Sequence, residues 1–290
     1  MTADTPTDTP VAPPAFDPFA LPPLREVIAQ YGLGARKALG QNFLLDLNLT
    51  GRIVRGAAIA PGTSVVEVGP GPGGLTRAIL ASPAARLVAV ERDPRFIEAL
   101  GDVVTAAAGR LTIVEADALT VDPVDLVPAP RAIVANLPYN VATPLLIGWL
   151  KRIEDYASLT LMFQKEVADR LLARPGSKSY GRLSVITNWR AEVQPVLTLP
   201  PQAFTPPPKV ESTVVRLTPR AKPELADWRT MEAVTAAAFG QRRKMLRQSL
   251  KSLGNAEALL AAAGIPPTAR AEEVDVAGFA ALARAAKGGI

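Results

Sequence analysis

The chain of 290 residues contains no histidine and no cysteine. The first absence removes Ser-His-Asp triads, imidazole bases and nearly every zinc site. The second removes disulfides, thiolate nucleophiles and thiolate metal sites, and is compatible with a reducing compartment. Chemistry on this chain must run without a group that titrates near neutrality by default, and no metal centre is expected. Long apolar runs are missing as well. None approaches the roughly 18–20 residues that span a bilayer, so the chain reads as soluble; a cytoplasmic location is the expectation. Nor does it open like a secretion signal, since a basic n-region and an apolar h-region are both lacking. Residues 1–23, MTADTPTDTPVAPPAFDPFALPP, are rich in Pro, Thr and Asp and read as a disordered leader with no assigned role.

What is present begins with charge. The net charge is +5, yet residues 1–30 hold Asp4, Asp8, Asp17 and Glu26 against Arg25, which leaves +8 on the rest. A basic body favours a polyanionic partner, nucleic acid first. A solvated basic surface without a partner is the alternative. With 48% hydrophobic residues the chain can bury a sizeable core, and its length suggests about two domains.

Apolar, β-branched runs at 64–68, 86–91, 111–114, 132–136 and 159–163 read as buried strands, with helices at 75–81 and 94–108 between them. That alternation predicts a doubly wound α/β fold around a parallel sheet. Runs at 182–189, 193–200 and 212–217 follow without helices between and predict an antiparallel finish. After Pro219 the period changes to that of a helix over 228–253, and NAEALLAAAG stops at Gly264. The expected boundaries are a leader at 1–23, a main domain at 24–219 and a small helical domain at 220–290.

The first strand runs into EVGPGPGGLT (67–76), where Gly69, Gly71 and Gly73 or Gly74 fit the nucleotide-binding turn. The motif alone does not separate a dinucleotide from S-adenosylmethionine. Pro70 and Pro72 lack N–H donors, which makes the loop a poor pyrophosphate cradle and favours a cofactor without phosphates. Glu91, 22 positions after Gly69, is placed to accept from ribose hydroxyls. Asp117 can accept from an adenine amine or cap the next segment.

Residues 136–139 read Asn-Leu-Pro-Tyr at the end of the fourth predicted strand. An exocyclic adenine amine is a poor nucleophile, because its lone pair is delocalised into the ring. Two acceptors on its N–H groups draw it toward tetrahedral geometry: the Asn136 side-chain oxygen and the Leu137 carbonyl, held by the fixed φ of Pro138. Tyr139 offers a face on which a base can stack, worth roughly 1–3 kcal/mol. Positioning then does most of the work, with no histidine required. A Pro-stiffened strand end with a core tyrosine is the competing reading.

Taken together, LGQNFL (39–44), EVGPGPGGLT, VERD (90–93), NLPYNVATPLL (136–146), QKEVADRL (164–171) and AFTPPPKVESTVVRL (203–217) resemble the bacterial small-subunit rRNA adenine dimethyltransferases, the kasugamycin-sensitivity family. The resemblance implies a seven-stranded class I, Rossmann-like S-adenosylmethionine methyltransferase sheet plus a small C-terminal helical domain. It implies transfer of four methyl groups from S-adenosylmethionine to two adjacent adenosines near the 3′ end of 16S rRNA, in the assembling 30S subunit, by a monomer. Carried over by motif, Asn42, Leu44, Gly69, Gly71, Glu91, Asp117 and Asn136 would hold the cofactor. Phe204 would be the second aromatic on the target base, a core phenylalanine being its alternative. Arg242, Arg243, Lys244, Arg247 and Lys251 are expected on a basic helix facing RNA, and Lys165, Arg170, Arg174, Lys178 and Arg182 form a possible second patch; both could instead be solvated faces. Three rival functions remain: a large-subunit rRNA methyltransferase of the macrolide-resistance type, an RNA-binding assembly factor without turnover, and a nicotinamide dehydrogenase.

Overall fold

The computed structural model describes residues 15–34 and 41–287. Nine strands are present among them: β1 (Phe43–Leu44), β2 (Ser64–Val68), β3 (Arg86–Glu91), β4 (Leu111–Glu115), β5 (Arg131–Ala135), β6 (Ser158–Gln164), β7 (Ala191–Leu199), β8 (Phe204–Thr205) and β9 (Ser212–Pro219). Seven form one sheet in the order β4-β3-β2-β5-β6-β9-β7, and β1 pairs with β8 in a small antiparallel ribbon. Two compact units divide the chain: Met1–Pro138 with Pro201–Pro208, and Tyr139–Pro200 with Lys209–Ile290.

The first unit holds the parallel half of the sheet. β2 is buried at all five positions, and its neighbours β3 and β5 run parallel to it, as does β4 to β3. Strands covered on both faces need no polar alternation, which is why Ser-Val-Val-Glu-Val reads as a nearly continuous apolar run. The helix Gly74–Leu80 follows β2 directly, and the expected helix over 94–108 is two helices, Pro94–Ala99 and Gly101–Ala106. Of the expected leader, residues 1–14 lie outside the described residues, and its last residues are hydrogen-bonded. Phe19 N–H donates to Asp17 Oδ1 at 2.8 Å, and the Pro22 carbonyl accepts from the buried Arg77 Nη1 at 2.8 Å.

In the second unit β9 lies antiparallel to both β6 and β7. Pro195 sits in β7 beside a register shift, at the edge of the sheet, where a missing N–H costs least. Two expectations fail here. Residues 182–189, expected as a strand, lie in a helix, Arg182–Arg190. Ser184 Oγ accepts from Gly181 N–H at 3.0 Å and donates to the Arg170 carbonyl at 2.6 Å, while Asn188 Nδ2 donates to the Leu171 carbonyl at 2.9 Å. These side-chain bonds select the helix where a short apolar run alone is ambiguous.

The second failure is the basic stretch. Helix Trp228–Gly240 ends at its glycine; Gln241–Met245 is non-helical, a short helix covers Leu246–Ser249, and a tighter 3₁₀ turn covers Leu250–Leu253. Met245 bridges to Arg270, and Leu246 N–H donates to the Ala269 carbonyl at 2.8 Å. Pairing with 269–270 therefore interrupts what periodicity alone extends. Downstream, the stop at Gly264 holds: its φ is 68°, and Ile265 N–H reaches back to the Leu260 carbonyl.

Candidate functional site

Parallel strands place their C-terminal ends on one edge, where ligands collect in such sheets. In the first unit that edge carries Gly69 after β2, Glu91 at the end of β3, Asp117 just past β4 and Asn136 just past β5. Gly69 and Gly71 adopt φ of 70° and 53°, a region costly for residues bearing a Cβ. A Cβ at Gly74 would sit 2.5 Å from the Leu44 carbonyl oxygen, so the start of this helix passes directly against β1. Pro70 and Pro72 remove two donors from the same turn.

Glu91 is buried, and its Oε1 accepts from the backbone N–H groups of Arg92 (2.8 Å) and Asp93 (2.9 Å). Burial pushes its pKa up; the N–H groups of Asp93, Arg92 and Gly71 act against that, and the Asp93 charge adds to it. Asp117 uses both oxygens: Oδ1 accepts from Leu119 N–H at 2.9 Å, and Oδ2 from Arg92 Nη1 at 3.3 Å. Asp117 thus closes a turn, whereas the cap of the next helix, Pro123–Leu126, is Asp122; Arg92 is a neighbour that local sequence did not flag.

Asn136 is fixed by an amide contact. Its Nδ2 donates to the Asn42 carbonyl at 3.2 Å, which leaves Oδ1 as the acceptor end. Asn42 precedes β1, whose Leu44 pairs with Phe204 of β8. A single ribbon therefore links three of the expected positions. Leu137 is buried and Pro138 half-buried. Phe204 is 3% exposed, so its ring is covered in this structure.

Tyr139 opens the helix Tyr139–Leu150 of the second unit, and its hydroxyl lies 2.7 Å from Ser212 Oγ. Burial raises the phenol pKa, with the Ser212 bond acting the other way. Sequence reasoning passed over Ser212, because nothing local marks the first residue of a buried strand as a tyrosine's partner. Among the basic residues Arg242 is engaged, with Nε on Glu272 Oε2 at 2.7 Å and Nη2 on the Ser177 carbonyl at 3.4 Å. Arg243, Lys244, Arg247 and Lys251 are exposed, though not on one helical face. In the second patch Lys165 pairs with Asp169, Arg170 with Glu166 and Arg182 with Glu232. Arg174 and Lys178 are exposed.

A parallel β4-β3-β2-β5 half with its glycine turn after β2, continued by an antiparallel β9, is the architecture of the class I, Rossmann-like S-adenosylmethionine-dependent methyltransferases. The donor-poor turn and the buried acid after β3 fit that cofactor, which carries no phosphate. A family model described as Ribosomal RNA adenine dimethylase matches residues 32–287, and the chain belongs to that family. It is an S-adenosylmethionine-dependent rRNA adenine dimethyltransferase.

The chain is 63% identical over 267 residues to the Ribosomal RNA small subunit methyltransferase A of Rhodospirillum rubrum, covering 91% of this chain and 92% of that protein. The crystal structure of a dimethyladenosine transferase from Plasmodium falciparum shares the fold, with a TM-score of 0.70 at 24% identity, covering 82% of this chain and 94% of that one. The crystal structure of the 23S rRNA methyltransferase ErmE is similar with a TM-score of 0.66 at 29% identity, covering 85% of this chain and 100% of that one.

Proposed function

We propose that this enzyme dimethylates the N6 amines of two adjacent adenosines in 16S rRNA while the small subunit is assembled, and that Asn136 is its central positioning group. The observation that carries the reading is the Asn136 amide held on the Asn42 carbonyl, which turns Oδ1 into a fixed acceptor at the strand ends. S-adenosylmethionine supplies an electrophilic methyl group when bound. Asn42, Leu44, Gly69, Gly71, Glu91 and Asp117 would hold it, with Glu91 accepting from the ribose. In the first transfer Asn136 Oδ1 and the Leu137 carbonyl accept from the two N–H groups of the adenine amine, so its lone pair projects away from both; the methylated amine has one N–H left for one of these acceptors in the second. Tyr139, its hydroxyl tied to Ser212, stacks on the base. Phe204 is retained as a second aromatic partner; its ring is covered here, so that contact requires the 201–208 segment to open.

RNA phosphates are assigned to Arg243, Lys244, Arg247 and Lys251, with Arg174 and Lys178 beside the loop that Arg242 ties down. Residues 220–290 are retained as the RNA-contacting helical domain and residues 24–219 as the methyltransferase domain. The enzyme acts as a monomer in the cytoplasm; among the described residues no helix is long and apolar enough to cross a membrane.

The small-subunit relative at 63% identity supports this target over the large subunit, against 29% for ErmE. Purified 30S and 50S particles incubated with the enzyme and labelled cofactor test it. Label on 30S adenines is expected, and label confined to 50S overturns the choice of subunit.

A further inference from the structure

One carboxyl at this edge has no part in the roles above. Glu67, the penultimate residue of β2, is 1% exposed, and neither of its oxygens has a hydrogen-bond partner. The Thr76 hydroxyl stands near enough to favour the ionised form, yet it too completes no hydrogen bond. The charged groups on the surrounding elements give no compensation. β3 contributes Glu91, a like charge, and Arg86, which pairs with Ser64 three residues away. β5 contributes Arg131, also opposite Ser64. The following helix contributes Arg77, whose Nη1 is spent on the Pro22 carbonyl. A bare carboxylate in this position is an uncompensated buried charge, a costly state. The acid therefore holds its proton: burial pushes it up to about 8, with Thr76 opposing and Glu91 adding.

We propose that Glu67 is a proton-coupled counter-charge for the cofactor: neutral in the empty site, it ionises when a positively charged group of S-adenosylmethionine seats over the glycine turn. The carboxyl O–H bond breaks, its electron pair stays on oxygen, and the proton leaves to solvent. Glu67 is a positioning residue, selecting a cationic ligand through charge. The inference rests on seating the cofactor at this turn.

The sign follows from linkage. Below pH about 8 the empty site carries the proton. A cation beside Glu67 lowers its pKa in the complex, so binding releases protons in that window. Affinity then rises with pH and levels off once the empty site is itself ionised.

Titration calorimetry of the full chain at pH near 7, in two buffers of different ionisation enthalpy, reads the exchange for S-adenosylmethionine and S-adenosylhomocysteine. The ligands' own titration is common to wild type and Glu67→Gln, so their difference reports Glu67. Wild type is expected to release several tenths of a proton more than Glu67→Gln. Its affinity should gain about tenfold in all relative to that variant as pH rises from about 6 to about 9, the fold-change that a tenfold lower proton affinity in the complex carries. Excess release with S-adenosylmethionine alone assigns the charge to the sulfonium, and with both ligands to the α-ammonium; either upholds the proposal. Equal release by wild type and Glu67→Gln with both ligands overturns it.

Should Glu67→Gln fail to fold, infrared difference spectra of the wild type decide. Loss of a protonated-carboxyl band on adding S-adenosylmethionine is expected, and an unchanged band overturns the proposal. Absence of any binding counts instead against seating the cofactor here.

Discussion

The strand-end edge of the first unit and the basic surface of the second are built on different physics. At the edge, three of the expected polar side chains are held by the backbone: Glu91 by two N–H groups, Asp117 by Leu119 N–H, Asn136 by the Asn42 carbonyl. On the basic surface Arg243, Lys244, Arg247 and Lys251 stand in solvent, and Arg242 alone among the five is stapled, to Glu272 and Ser177. A group that must aim an atom at a reacting centre needs a fixed frame. One that only collects phosphates needs charge and reach. Substitutions should therefore have large effects at the first region and small, graded ones at the second.

The largest effect is expected for Asn136→Ala. Removing an acceptor aimed at the amine should lower single-turnover methylation by about 10²–10³-fold, the scale of a lost transition-state hydrogen bond. Filter binding should show RNA affinity nearly unchanged. Near-normal turnover would erase the distinction between the two regions.

Next comes Glu91→Ala. Loss of a buried, charge-assisted acceptor should weaken S-adenosylmethionine by roughly 10–100-fold in calorimetry. An unchanged dissociation constant removes Glu91 from the ribose site.

Graded effects follow on the basic surface. Arg243→Ala and Arg247→Ala should each flatten the log–log salt dependence of RNA binding by about 0.7–0.9 per lost phosphate contact. Arg242→Ala should instead lower the melting temperature by a few degrees, because its guanidinium holds 177 and 272 together. A full salt-slope loss from Arg242→Ala with unchanged melting would make it an RNA ligand and merge the two kinds of basic residue. The smallest effect is expected for Tyr139→Phe. It keeps the ring face and loses only the Ser212 bond, about 1 kcal/mol, so turnover should stay within roughly fivefold.

The same contrast explains what could be read from residues alone. β2 and β3 fall where their apolar runs predict, because strands buried on both faces carry an uninterrupted signal. The glycine turn, Glu91 and Asn136 follow from their place at strand ends. Residues 182–190 misled because four consecutive buried positions fit a strand and a buried helix equally, and the deciding partners, the Arg170 and Leu171 carbonyls, are distant in sequence. The break after Gly240 was hidden for the same reason, since its cause is pairing with 269–270. Glu67 escaped notice because a carboxyl inside a β-branched run shows its unpaired state only once its neighbours are known.

What matters most for catalysis is whether the amide on the Asn42 carbonyl presents its oxygen to an adenine of the small subunit. Mass spectrometry of 16S rRNA adenines tests that most directly, in cells lacking the gene and complemented with wild type or Asn136→Ala. Two adjacent N6,N6-dimethyladenosines should vanish on deletion, return with wild type and stay absent with Asn136→Ala. Their persistence in the deletion, or their return with Asn136→Ala, would contradict it.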